Sequence, residues 1–270
     1  MDAQGRRLAY RSVGEGKPIV LCLRFRGDMD SWDPAFIDAL AAQGFRVITF
    51  DYTGLGLSTG QPNYSPAALA DDARDLIVAL DLQEAVIGGW SLGGLCAQVL
   101  VAKYPQLVTH AVLIGAVPPG PNVKGGEALF NQTALKPEND LEDDIILFFE
   151  PASAASREAA ARSHARLKLR QAGRSVPVPH AFAATALPPE PRSPLFPADP
   201  VLQALKHTQV PILHLGGDHD IVFPVENWYA LNGQLPTLQL VTYARAGHGP
   251  QHQYPQASAR HIAAFVLAQD

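Results

Sequence analysis

The chain has 270 residues, 47% of them hydrophobic and 17% charged, a globular composition that excludes disordered and collagen-like architectures. Its net charge is −5, from 21 Lys+Arg against 26 Asp+Glu, and no basic block stands out, so neither a nucleic acid nor an anionic membrane is expected as a partner. Apolar runs such as Ile19–Leu23 and Ile145–Phe149 hold five residues each, against the roughly 20 that a membrane span requires.

The polar segment Met1–Arg7 leads straight into strand-like sequence and is read as containing no signal peptide. From there apolar segments alternate with longer amphipathic ones. A strand over Pro18–Phe25 is followed by a helix over Asp33–Gln43 and a strand over Phe45–Asp51. Ser65-Pro66 has the form of an N-cap followed by proline at the first helical position and opens a helix over Pro66–Leu80. A strand over Ala85–Gly89, a helix over Leu92–Tyr104 and a strand over His110–Gly115 come next. After a long interruption, strands over Val210–Gly216 and Leu238–Tyr243 bracket a helix over Pro224–Asn232, and a helix over Gln256–Ala268 closes the chain. The strands lack polar alternation, as strands buried on both faces of a parallel sheet do. The expected fold is α/β: a mostly parallel central sheet flanked by helices. The two cysteines, Cys22 and Cys96, lie in apolar segments and are read as buried free thiols in a reducing compartment. A soluble, cytoplasmic protein is expected.

The interruption, residues 117–200, holds 13 of the 23 prolines and no convincing strand. Asp140–Phe149 and Ser153–Arg170 have helical spacing, while Ala172–Pro200 is expected to be irregular, with a sharp return near Asp199-Pro200. Residues 1–116 and 201–270 are therefore assigned to the core, and 117–200 to a helical, Pro-rich cap or lid.

Chemistry is concentrated at strand ends. Gly89-Trp90-Ser91-Leu92-Gly93-Gly94 joins a predicted strand to a predicted helix. A serine in such a turn is held in a strained conformation between small residues and presents its hydroxyl at the carboxyl end of the sheet. The same turn aims the helix N-terminus, with the Leu92 N–H, at a developing oxyanion. A serine needs an adjacent base, and Ala246-Gly247-His248-Gly249 follows the last strand on the same edge. His252, one helical turn further on, is expected at the surface. The base needs a carboxylate to fix its tautomer. Gly217–Pro224 offers Asp220, with Asp218 as the other candidate. Asp218-His219-Asp220 makes a poor metal site, because adjacent residues rarely converge on one ion. Trp90 either packs beneath the site or lines it.

The order Ser91…Asp220…His248 matches the α/β-hydrolase triad, and the chain resembles that superfamily, in the branch of small esterases, lactonases, carbon–carbon hydrolases and cofactor-free haloperoxidases. Matching segments are Phe45–Asp51, Gly54-Leu55-Gly56-Leu57-Ser58, the serine turn, Gly217–Pro224 and Gly247-His248. The resemblance implies a second oxyanion N–H from Phe25. It also exposes a departure: where the family usually carries His-Gly, this chain reads Leu23-Arg24, followed by Phe25-Arg26-Gly27. Arg24 and Arg26 could hold a substrate carboxylate or form ion pairs with Asp28, Asp30 or Asp51. The resulting expectation is a serine hydrolase that cleaves an ester or lactone of a small to medium, largely apolar molecule, with no metal and no cofactor. The alternatives are perhydrolase or haloperoxidase chemistry, carbon–carbon hydrolysis, and a non-catalytic ligand receptor on the same fold.

Overall fold

Six strands of one sheet run parallel in the computed structural model, which describes residues 5–187 and 198–268. They are β2 (Lys17–Cys22), β3 (Phe45–Phe50), β4 (Ala85–Trp90), β5 (Val108–Ile114), β6 (Ile212–Gly217) and β7 (Leu238–Tyr243). A short antiparallel strand, β1 (Tyr10–Val13), adds to one edge, giving the order β1-β3-β2-β4-β5-β6-β7. Every residue of β4 and of β6 is buried, which is why these strands read as continuous apolar runs.

Helices cover both faces. α1 (Pro34–Ala42) and α11 (Pro255–Leu267) pack together on one side; α2 (Pro66–Ala79), α3 (Leu92–Lys103) and α8 (Ala198–His207) pack on the other. The starts of α1 and α2 follow from local chemistry. The Asp33 carboxylate accepts the Ala35 N–H, the Ser65 hydroxyl accepts the Ala68 N–H, and a proline opens each helix where its missing N–H costs nothing. Between β5 and α8 lie α4 (Ala128–Ala134), α5 (Leu141–Phe148), α6 (Ala154–Leu167) and α7 (His180–Ala186). α5 starts with a reciprocal Asp140–Asp143 capping box. α6 reaches the core, packing against α1 and against α10 (Pro250–Gln253).

Several expectations need correction. β2 stops at Cys22, so Leu23–Phe25 already belong to the loop beyond the sheet. The segment expected to be irregular contains α7, and Asp199-Pro200, expected as a sharp return, forms the first turn of α8. The boundary set at 200/201 thus falls inside a helix that packs on α3. The rest of the Pro-rich stretch, 188–197, lies outside the described residues. The helix expected over Pro224–Asn232 shortens to α9 (Glu226–Tyr229). Cys22 and Cys96 are free and buried, with their sulfurs 3.4 Å apart. No described helix is long and apolar enough to cross a membrane.

Candidate active site

The parallel strands place the loops after β2, β4, β6 and β7 on one sheet edge, the carboxyl edge where ligands bind in open α/β sheets. Ser91 follows β4 with φ 58° and ψ −119°, a left-handed conformation that is costly for a residue with a side chain. Three close approaches impose it. A Cβ on Gly89 would lie 2.0 Å from the Gly93 carbonyl oxygen, one on Gly93 would lie 2.1 Å from the Cys22 carbonyl oxygen, and one on Gly94 would lie 2.4 Å from the Ala116 Cβ. The first turn of α3 therefore sits directly on the ends of β2 and β5, and only glycine allows it. Leu92 is the first residue of α3, where the N–H has no intrahelical acceptor.

Asp220 and His248 are both buried, and His248 Nδ1 lies 2.7 Å from Asp220 Oδ2. The other carboxylate oxygen accepts the Val222 and Phe223 N–H groups, each at 2.9 Å. Burial opposes the charge on Asp220, but the His248 imidazole and these two backbone donors outweigh it and hold the carboxyl below its ordinary range. An ionised carboxylate only accepts, so Nδ1 carries a proton toward it, and in the neutral ring that tautomer leaves the lone pair on Nε2. Nε2 is buried and has no hydrogen-bond partner; the Ser91 hydroxyl does not bond to it in this structure. Asp218 lies outside this arrangement. It pairs with His219 Nδ1 at 2.7 Å and accepts the Ala246 N–H.

Trp90, the residue before Ser91, ties the serine turn to the histidine loop: its indole N–H donates to the His248 carbonyl at 2.7 Å. The ring is buried against Trp32, Phe148 and His252, so Trp90 packs beneath the site and does not line it. His252, expected at the surface, is buried behind Trp90, where its Nε2 accepts the Asp33 N–H at 3.2 Å. Burial pushes its pKa down to about 4, so the ring is neutral.

Ser91, Leu92 and Phe25 line one cavity of about 470 Å³, together with Tyr64, Phe130, Phe182 and Phe223. Phe130 and Phe223 also stand edge-on to the His248 ring, at centroid distances of 5.4 and 5.5 Å. None of the described lining side chains carries a charge. Arg24 and Arg26 do not line it, and neither makes a close ion pair with the acidic partners expected for them, although the charge of Asp28 acts on Arg24. Asp30 binds Arg11 and Arg170; Asp51 accepts from the Met29 and Leu57 N–H groups; Asp28 accepts from the Asp30 N–H. Arg24 turns inward, its guanidinium over Trp90 and Phe148 at 5.3 and 4.7 Å, and donates to the Phe25 carbonyl at 2.8 Å. Arg26 turns outward and donates to the carbonyls of Ala134, Lys136 and Pro137. The sequence readily gives up residues that follow strands, but Tyr64, Phe130, Phe182 and Phe223 come from four separate segments without a shared spacing, so nothing linear announces them. Among the described residues no three His, Cys, Asp or Glu side chains converge as metal ligands.

A family profile of the alpha/beta hydrolase fold matches residues 17–255. The chain belongs to that family. It is 36% identical to a putative non-heme bromoperoxidase, BpoC, of Mycobacterium tuberculosis over 107 residues, a match covering 40% of this chain and only 41% of the relative. It is 22% identical to the pimeloyl-[acyl-carrier protein] methyl ester esterase of Aliivibrio salmonicida over 97% of both chains. Among solved structures, an alpha/beta hydrolase fold protein from Chitinophaga pinensis superposes with a TM-score of 0.80 and 26% identity, covering all of this chain and 96% of that one.

Proposed function

We propose that this hydrolase-family chain is a serine esterase or lactonase acting on small to medium, uncharged substrates with an aromatic or apolar acyl group. The observation that carries the reading is the buried Asp220–His248 pair, whose Nε2 has no hydrogen-bond partner, on the same sheet edge as a strained serine at a helix N-terminus. Nε2 takes the Ser91 hydroxyl proton as Oγ attacks the substrate carbonyl, and Asp220 stabilises the resulting imidazolium. The Leu92 and Phe25 N–H groups receive the oxyanion. His248 then passes the proton to the leaving alcohol oxygen as the ester C–O bond breaks. Water attacks the acyl-enzyme with His248 again as base, releasing the acid and restoring Ser91.

The uncharged lining, in which aromatic rings stand beside Asn63, Asn122 and Asn131, supports the substrate class. A substrate carboxylate would lose its hydration there without gaining a described cation, which is a large penalty. Carbon–carbon hydrolysis of acidic substrates is accordingly disfavoured. A fluorophosphonate probe together with neutral and anionic p-nitrophenyl esters tests the reading. Wild type should be labelled, Ser91→Ala should be neither labelled nor active, and p-nitrophenyl butyrate should exceed the hemisuccinate at least about 100-fold in kcat/KM. An unlabelled wild type would instead favour a ligand receptor. Adding hydrogen peroxide to the ester assay reads out peracid formation, the chemistry that the haloperoxidase name of the Mycobacterium relative suggests.

A further inference from the structure

Arg24, Arg26 and Tyr64 hold the backbone on either side of Phe25, whose N–H the resemblance implies as the second oxyanion donor. The Arg24–Phe25 peptide carries the Phe25 N–H. Its carbonyl accepts the Gly27 N–H at 3.0 Å, in a turn that tolerates little at residue 27, because a Cβ there would lie 3.0 Å from that same oxygen. The next peptide, Phe25–Arg26, is held at both ends: its carbonyl by Arg24 Nη1 at 2.8 Å and its N–H by the Tyr64 hydroxyl oxygen at 3.1 Å. Arg26 adopts φ 56°, a conformation that needs such restraint in a residue with a side chain. Two consecutive peptide planes are thus fixed at the residue that lines the cavity, Phe25.

The anchors lie in different parts of the fold. The Arg24 guanidinium stacks on Trp90 and Phe148. The Tyr64 ring packs between Phe25 and Phe182, at 5.5 and 4.9 Å. The Arg26 guanidinium makes three bonds of 2.7–2.9 Å to carbonyls at and just beyond the C-terminal end of α4, carbonyls that a helix end leaves open. α4 in turn carries Phe130, which stands against His248. We infer that Arg24, Arg26 and Tyr64 are positioning residues that aim the Phe25 N–H at the oxyanion, with Arg26 making this donor depend on the seating of α4. The inference rests on the serine hydrolase reading above.

The consequence is a loss in transition-state binding without a matching loss in ground-state binding. Removing an oxyanion donor costs about 10²–10³ in kcat, and misaiming one costs part of that. Arg26→Met should lower kcat by about 10- to 100-fold, with KM of a neutral ester within about threefold. The affinity for a trifluoromethyl ketone, which forms a tetrahedral adduct on a nucleophilic serine, should fall in the same proportion as kcat. Arg26→Lys, which can satisfy one carbonyl, should recover part of both. Tyr64→Phe keeps the ring and loses only the hydroxyl that accepts the Arg26 N–H, so it should lower kcat several-fold at unchanged KM. Arg157→Gln, which removes an exposed pair with Glu142, is the control for general loosening of this region and should match wild type. Melting temperatures are measured on all four variants. Wild-type kcat and ketone affinity in Arg26→Met and Tyr64→Phe, whatever their melting temperatures, would overturn the inference while leaving the hydrolase reading intact. If Arg26→Met does not fold, Tyr64→Phe alone decides. Failure of fluorophosphonate to label wild type would overturn both.

Discussion

Replacing Asp220 by asparagine changes one oxygen to an amide and tests the logic of the site. The carboxylate makes three hydrogen bonds: one to His248 Nδ1 at 2.7 Å and two from the Val222 and Phe223 N–H groups at 2.9 Å. Asparagine has one oxygen and one NH₂. Two backbone donors face the oxygen site, so they claim the amide oxygen and leave the NH₂ against Nδ1. Nδ1 must then accept, the imidazole proton moves to Nε2, and Nε2 can no longer take a proton from Ser91. The wrong tautomer costs about 10⁴ in kcat in serine proteases, or about 5.4 kcal/mol of barrier, and the same loss is expected here. KM should hold, because Asp220 does not line the cavity. Release of p-nitrophenolate and the rate of fluorophosphonate labelling should fall together, with Asp218→Asn as comparator. Asp218 pairs with His219 at a half-exposed position, and its loss should cost less than about threefold, in line with the small worth of surface pairs. Asp220→Asn activity within tenfold of wild type, or a crippling Asp218→Asn, would refute the tautomer argument.

Acid should destabilise the fold through two buried histidines. Burial lowers His214 to about 3 and His252 to about 4 from an ordinary 6.5. Between these limits the unfolded chain binds more protons, so stability rises with pH and is lost on acidification below about 6.5. The expected slope is about 1.4 kcal/mol per pH unit for each histidine. Urea midpoints from pH 7 down to 4.5 measure it, and His252→Gln should remove about half; an unchanged slope would count against the burial argument. Arg166→Met should lower Tm by about 10 °C while sparing activity at 25 °C. It strips the two Arg166 bonds, at 2.7 and 2.6 Å, from the fully buried Asp33 carboxylate, and leaving a buried charge unpaired costs about 3–5 kcal/mol. Arg166→Met with Asp33→Asn should regain part of the loss, and a Tm within 2 °C of wild type for the single variant would refute the account.

What could be read from the sequence was whatever one local rule decides. The six parallel strands and the starts of α1, α2 and α3 follow from short-range features: apolar runs bounded by turns, Asp33-Pro34, Ser65-Pro66, and glycines around Ser91. The strand-like sequence after Arg7 received no bounds because β1, Tyr10–Val13, is a short, exposed edge strand with no apolar run to mark it. α7 and the first turn of α8 escaped because proline density argued for irregularity, although proline sits comfortably in a first helical turn. His252 looked like a surface residue because it is polar and near a loop. Its burial depends on Trp90 and Asp33, which are far away in sequence. Partners of that kind cannot be read from spacing.

The arginines show the same limit from the other side. Charge and position in the sequence raised two roles for Arg24 and Arg26, a substrate anchor or an ion pair. The structure provides a third, because a guanidinium has donors enough to serve carbonyls and a flat face to stack. Arg24 stacks on Trp90 and Phe148, and Arg26 meets the open carbonyls at the end of α4. Turning both guanidinium groups away from the cavity has two effects at once. It leaves the described wall around Ser91 uncharged, and it places rigid groups on the loop that glycine would have left free. On the proposed reading, the departure from the family's His-Gly links substrate charge to oxyanion geometry. A single replacement that returned Arg24 to glycine would have to alter the second without restoring a cation to the first.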